Sequence, residues 1–355
     1  MGILRIVLAI SVLLVHSKPF FGMRLVGGVH AVHAFYIISG FYMSLILNEK
    51  YTKQIKNSYQ IYIKNRLLRL YPIYWLVLVL TLLLFLYQTY EEQKFNSLNQ
   101  FIIYSKNINL YNQVFLILTN ILIFGQDIVM FIGLDFRSGN FYFTSDFHFT
   151  NPKLYSFLLL PQAWTLSLEL MFYLIAPFLV RRSIITIISI IALTFTARAL
   201  AISYNLDHDP WNYRFFPFEL GFFLLGTISY HIYRKIKNLQ FVDKYSYIAI
   251  IILLPLIIFF YWIPLKTLIL YSAITLLIPF IFHATKKSKL DRLVGELSYP
   301  MYISHLLILN LLTYVNQNDS VMLIISTVLF SILLNELVSN NVEKIRNKLA
   351  KKAQI

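Results

Sequence analysis

Basic and histidine residues inside apolar stretches are the first candidates for chemistry. Arg5 and His16 lie eleven residues apart in an otherwise apolar N-terminal segment. On a continuous helix this spacing is almost three turns, so both side chains would share one face, about 16 Å apart along the axis. A histidine can serve as a general base or nucleophile, and an arginine can hold an anionic ligand. The structural alternative is that Arg5 extends to one membrane surface and His16 lies at the other.

A second basic pair, Arg66 and Arg69, precedes Pro72 at the start of another apolar run. The two side chains are one helical turn apart and would project the same way. Two guanidinium groups in this arrangement favour phosphate binding. The alternative is ordinary basic anchoring at a cytoplasmic helix end.

Glu169 is an acidic residue more than one turn inside an apolar segment that opens with Trp164. A buried carboxylate needs a cation, a histidine or a proton. Glu169 could orient His16 or hold a substrate hydroxyl. Alternatively it forms a structural ion pair, for instance with Arg198.

Other polar residues lie inside apolar segments. His305 and Tyr302 share a helical stripe and could bind substrate, although a packing role for the histidine is the plainer alternative. Ser39 precedes a glycine, a combination typical of close helix packing. His30 and His33 share a face, but no third ligand for a metal is evident, so we expect no metal. We assign substrate binding to Trp164, Ser39, His305, Tyr302 and Arg198.

The elements that carry these residues follow from composition. Of 355 residues, 58% are hydrophobic and 13% are charged, against about 25% charged in soluble domains. This excludes a soluble enzyme, a disordered protein and a DNA-binding domain, and it indicates a polytopic membrane protein. The absence of cysteine excludes disulfides, thiolate metal sites and cysteine nucleophiles.

We predict an all-α membrane helix bundle with about ten spans in one domain, 1–355. The basic residues cluster in short segments, which we assign to the cytoplasmic side, so that both termini are cytoplasmic. A full span at 114–134 would break the alternation of sides, so this run is predicted to be re-entrant or interfacial within a large external region, 89–160. The alternative is eleven spans. The segment before Ser17 is interpreted as a retained first helix rather than a signal peptide. The apolar runs are 2–17, 27–48, 66–88, 114–134, 161–180, 183–203, 215–233, 246–263, 266–283, 297–315 and 320–339.

Five strings in this order resemble segments of the acyltransferase-3 family of integral membrane acyltransferases, which commonly O-acetylate bacterial surface polysaccharides. The strings are LRIVLAISVLLVH, FYIISGF, NRLLRLYPIYW, WTLSLELMFYL and SYPMYISH. The resemblance covers nearly the whole chain. One departure is His33, two residues before Phe35, where the family often has an aspartate.

The resemblance implies an acyl-CoA co-substrate, acetyl-CoA being expected first, used from the cytoplasmic side. The family's arginine–histidine pair falls on Arg5 and His16, and its Arg-x-x-Arg motif falls on Arg66 and Arg69. Its Trp-x-x-x-x-Glu motif ends at Glu169. We expect His16 to act as general base, with a transient acyl-histidine as a variant. We expect Glu169 to orient it, and the three arginines to bind the donor.

The predicted function is therefore transfer of an acyl group to a hydroxyl of a cell-envelope glycan or glycolipid. The predicted location is the bacterial plasma membrane, the partners are the donor, the acceptor and the bilayer, and no nucleic acid is involved. The region 89–160 is expected to form a lid or acceptor platform. The main alternative is a transporter or flippase without chemistry of its own. A different class of membrane acyltransferase would lack the ordered strings.

Overall fold

The computed structural model describes residues 1–19, 22–51, 57–91, 96–317 and 319–352. The basic segments assigned to the cytoplasmic side include 49–69, and two of its bases, Lys53 and Lys56, lie outside the described residues. The helices are α1 (Gly2–Leu13), α2 (Gly27–Glu49), α3 (Ser58–Tyr90), α4 (Ser97–Tyr104), α5 (Leu110–Leu122), α6 (Trp164–Leu179), α7 (Ile184–Ser203), α8 (Phe216–Ile236), α9 (Gln240–Ile258), α10 (Lys266–Thr285), α11 (Lys289–Glu296), α12 (Ser298–Tyr314), α13 (Ser320–Leu334) and α14 (Asn340–Lys352).

Seven helices within the described ranges are long and apolar enough to cross a bilayer. They are α2, α3, α6, α7, α9, α10 and the continuous run from α13 into α14. Three further predicted spans coincide with α1, α8 and α12. α1 is shorter than predicted, because it ends at Leu13 rather than continuing to Ser17. A multi-pass helical membrane protein is the architecture these helices support.

The run 114–134 does not form one long helix. Its helical part, α5, has 13 residues, about 20 Å of helix, which is short for a 30 Å hydrocarbon core. The run continues through a 3₁₀ turn, Ile128–Phe131, into a strand. One side of α5 leaves large apolar residues exposed, among them Leu110, Ile117 and Leu122. A short helix with an exposed apolar face is what the predicted interfacial or re-entrant segment requires.

The chain divides into two compact units. The first contains 1–73, 173–194 and 219–355, and the second contains 74–172 and 195–218. In the first unit α1 packs against α2, α11 and α12. Ala9 and Leu13 of α1 and Met301 of α12 are fully buried together.

Glycines allow α2 and α8 to cross closely. A Cβ at Gly40 would overlap the carbonyl oxygen of Phe223, and one at Gly226 would overlap the carbonyl oxygen of Ile37. One turn further, Ser44 donates a hydrogen bond to Thr227, 3.0 Å away. Small residues at a helix crossing let the two backbones approach, as the position of Ser39 beside Gly40 predicts.

The second unit departs from an all-α fold. Strands β1 (Ile132–Asp135) and β2 (Asn140–Phe143) form an antiparallel hairpin, with Ile132 opposite Phe143. Gly139 occupies the hairpin loop with a positive φ of 68°, which glycine tolerates without strain. The core under the hairpin consists of Ile108, Leu116, Val129, Met130, Leu134, Phe147, Leu154, Phe157 and Leu158. This hairpin was not predicted from the sequence, because its short strands give a weaker pattern than the long apolar helices.

Candidate functional site

Two histidines predicted separately lie side by side in the first unit. His16 follows the end of α1, where its backbone N–H donates to the carbonyl of Leu13. Its ring centre lies 5.2 Å from that of His305 on α12, with the planes tilted by 37°. The packing of α1 against α12 brings them together. His16 therefore lies beyond the end of α1 rather than on the continuous helix that the eleven-residue spacing assumed.

His305 is fully buried. Its Nδ1 lies 2.5 Å from the backbone carbonyl oxygen of Tyr302. Its Nε2 has no hydrogen-bond partner among the described residues. Tyr302 itself is almost buried and faces Phe35 with its ring. The predicted stripe on α12 thus places His305, and the backbone of Tyr302, beside His16.

His16 also lines a cavity of about 460 Å³, which we call the histidine cavity. Charged side chains around it come from Lys18, Arg24 and Asp319. The carboxylate of Asp319 accepts hydrogen bonds from the backbone N–H groups of Val321 and Met322 in the first turn of α13. The volume is within the range of small-molecule sites, so a substrate group could reach His16 from this side.

Arg5 and Arg69 line a second cavity of about 340 Å³, the basic cavity. Three more basic side chains line it, from Lys286, Arg292 and Arg346. Three acidic residues, Asp291, Glu296 and Glu343, also contribute. Burial, reinforced by the negative charge of Glu343, raises the pKa of Glu296. Positive charge therefore exceeds negative charge in the cavity, which suits an anionic ligand.

Arg66 does not line the basic cavity beside Arg69. It is buried, and its guanidinium donates to the side-chain oxygen of Asn65 at 3.3 Å. The same oxygen accepts from Arg346 Nε at 3.0 Å. Arg66 is thus linked to the cavity through Asn65 and Arg346, and the structure shows a wider basic cluster in place of the predicted two-arginine clamp.

Sequence reasoning assigned Lys286, Arg292 and Arg346 only to the inner side of the membrane. The structure shows that they share a cavity with Arg5. Their clustering in the segments 286–292 and 344–352 was the available signal. Such clustering indicates a side of the membrane, but not which bases share a cavity.

In the second unit, Trp164 opens α6 and packs against a partly buried ion pair. The Arg214 guanidinium lies 4.3 Å from the Trp164 ring centre and forms two hydrogen bonds with Asp209, of 2.6 and 2.9 Å. Tyr213 meets the indole edge-on, and burial raises the pKa of Tyr213 to about 12. Trp164 is only 6% exposed, so this arrangement holds the N-terminus of α6 in place.

Glu169 lies one turn further along α6, also in the second unit. Between it and Trp164, Ser167 donates to buried Asp127 at 2.6 Å and accepts from the Gly125 N–H at 2.9 Å. Sequence reasoning did not single out Asp127. Arg198 on α7 donates to the backbone carbonyl of Asn212. The catalytic role of Glu169 and the substrate role of Arg198 stay predictions.

His30 and His33 have different hydrogen-bond partners. His33 Nε2 lies 2.9 Å from the buried carboxylate of Glu219, and its Nδ1 lies 2.6 Å from the Tyr271 hydroxyl. His30 instead contacts the hydroxyl of Thr267 at 3.3 Å. The histidine at the position where the family often has an aspartate thus joins α2, α8 and α10.

Comparison with known proteins agrees with the five strings. A family model described as an acyltransferase domain matches residues 1–336. An uncharacterised protein of Aquifex aeolicus (strain VF5) is 28% identical over 207 residues, which cover 54% of this chain and 91% of that relative. No solved structure matches significantly. The match supports a membrane acyltransferase and confirms the resemblance: the chain belongs to the acyltransferase-3 family.

Proposed function

We propose that this chain is a membrane O-acyltransferase that moves an acyl group from acyl-CoA to a hydroxyl of an envelope glycan or glycolipid. The observation that carries the proposal is the pair of cavities at the two ends of α1. Arg5, in its first turn, lines the basic cavity, and His16, just beyond its last turn, lines the histidine cavity. An anion-binding end and a base end on one short element suit a long donor with phosphates at one end and a thioester at the other.

The residues of the basic cavity fit the phosphates of a coenzyme A donor. Arg5, Arg69 and Arg346 offer planar groups that can bind phosphate oxygens in pairs, and Lys286 adds a compact charge. The clustering of bases supports a cytoplasmic position for this cavity, and a bacterial plasma membrane is the proposed location. Acetyl is the acyl group we expect first.

In the proposed reaction, His16 accepts the proton of the acceptor hydroxyl while the hydroxyl oxygen forms a bond to the acyl carbon. The carbon–sulfur bond then breaks, and the leaving thiolate takes the proton from His16, which returns to its neutral form. Base catalysis of this kind contributes about 10²- to 10⁴-fold. Glu169 is proposed as the second catalytic residue. The external region 89–160, which contains the hairpin with its exposed Phe143, is proposed to select the acceptor.

The test uses purified protein in lipid with radiolabelled acetyl-CoA, and envelope glycans from a strain that lacks the gene. Wild type and His231→Ala, a histidine control on α8, should both transfer label, while His16→Ala should lose about 10²-fold or more. Release of CoA is measured in parallel. The absence of both CoA release and label transfer across a broad acceptor panel would refute the proposal. It would favour a transporter, which leaves no new ester.

A further inference from the structure

We propose that His305 is a positioning residue that holds and stabilises His16 during acyl transfer. The proposal deepens the proposed function and rests on it. A neutral His305 would present the Nε2 lone pair to an N–H of His16, in the role that a carboxylate has in a catalytic triad. From the sequence alone, His305 was predicted to bind substrate.

The tautomer of His305 follows from its hydrogen bond. A backbone carbonyl can only accept, so Nδ1, 2.5 Å from the carbonyl oxygen of Tyr302, carries the hydrogen. In a neutral ring, Nε2 then carries a lone pair and can only accept. Complete burial favours the neutral ring.

The lone pair on Nε2 has no partner among the described residues, although the atom is buried. Buried polar atoms are nearly always hydrogen-bonded, and an exception calls for an explanation. His16 is the neighbour that can supply one, since the ring centres are 5.2 Å apart. A modest rotation of the rings would bring two nitrogens to about 3 Å, and catalytic hydrogen bonds often tighten only when substrate is bound.

The pairing completes the proton movements of the proposed reaction. One nitrogen of His16 takes the hydroxyl proton as the new oxygen–carbon bond forms. The other nitrogen keeps its hydrogen and forms an N–H···N hydrogen bond to His305 Nε2. This hydrogen bond stabilises the positive charge on His16. When the carbon–sulfur bond breaks, the thiolate takes the transferred proton, and both histidines are neutral again.

The other charged groups around His16 are fixed features of the histidine cavity. Lys18, Arg24 and Asp319 line this cavity with His16, and Asp319 also caps α13. Variants of His305 leave all three in place. A change in the titration of His16 in such variants therefore reports on His305 itself.

The experiment compares His305→Asn with His305→Gln. The Asn amide can still donate to the Tyr302 carbonyl but has no atom at the level of Nε2, whereas Gln places an acceptor oxygen there. Diethylpyrocarbonate labelling of His16, followed by mass spectrometry across pH, gives the pKa of His16 without requiring activity. Acyl transfer is measured on the same preparations, and thermal unfolding in detergent shows whether each variant is folded.

We expect His305→Asn to lower the pKa of His16 and to lower kcat at least about tenfold, with little change in KM for acetyl-CoA. His305→Gln should recover much of both. Unchanged labelling and unchanged kcat in the folded Asn variant would overturn the pairing, as would equal losses in the Asn and Gln variants. Wild-type protein that transfers no acyl group would refute the proposed function instead, while the labelling still tests the pairing.

Discussion

Arg69 offers a direct test of donor binding. It is half-buried on α3 and lines the basic cavity, where five basic side chains face three acidic ones. Replacing Arg69 with alanine removes one of the five basic side chains of this cavity. A charge-assisted hydrogen bond contributes about 1.5–3 kcal/mol, which corresponds to a roughly 10- to 150-fold weaker Kd. We expect Arg69→Ala to weaken acetyl-CoA binding by this factor.

The assay is equilibrium binding of labelled acetyl-CoA to protein in lipid nanodiscs, at two salt concentrations. Arg234→Ala is the matched control, since Arg234 is an exposed arginine in the last turn of α8. Its Kd should stay close to that of wild type. Arg69→Lys should fall between wild type and the alanine variant, because it keeps the charge but not the planar two-point contact.

A variant of Arg66 distinguishes the wider basic cluster from a two-arginine clamp. Since Arg66 contacts Asn65 rather than the cavity, Arg66→Ala should weaken binding less than Arg69→Ala, through the displacement of Arg346. Equal Kd values for the Arg69 and Arg234 variants would refute the assignment of the cavity to the donor. A larger effect at Arg66 than at Arg69 would refute the geometry of the cluster.

Three further changes test other parts of the molecule. Glu169→Gln should impair label transfer while expression stays intact, and wild-type turnover would remove Glu169 from the mechanism. Gly226→Ala should destabilise the protein by about 1–3 kcal/mol, seen as a lower unfolding temperature, because the new methyl group overlaps the Ile37 carbonyl. The pKa of Asp146 lies below its usual range, because the opposing effect of burial is outweighed by hydrogen bonds from His148. The stability that Asp146 contributes should therefore be present at neutral pH and lost below about pH 4, and Asp146→Asn should abolish that acid-dependent change in unfolding temperature.

The long apolar helices were predictable because a bilayer imposes one length and one composition on every crossing segment. The end of α1 was not. Leu14 and Val15 are as apolar as the helix before them, so hydropathy continues past Leu13 while the backbone changes to a turn. The hairpin β1–β2 was missed for a related reason. Strands of four residues are too short to give a periodic signal against long apolar helices.

The basic cavity shows a different limit. Each base could be assigned to a side of the membrane, because that assignment depends on local charge alone. Which bases meet depends on the packing of α1 against α11 and on the course of α14, and neither is encoded in the spacing of arginines. The pair at 66 and 69 had the most suggestive spacing, yet one member turned out to contact Asn65, and Arg346 from the other end of the chain joined the other.

The two histidines have a joint explanation that neither has alone. Taken singly, His16 at a helix end and His305 inside a helix each had a structural explanation that required no chemistry. That explanation is harder to apply to both at once, because packing alone gives no reason for a buried Nε2 without a partner beside a second imidazole. A phenylalanine would fill the same space on α12 without a polar atom to satisfy. The retained lone pair is explained if His16 carries a positive charge for part of the reaction cycle, and that charge is what a base that deprotonates a hydroxyl must bear.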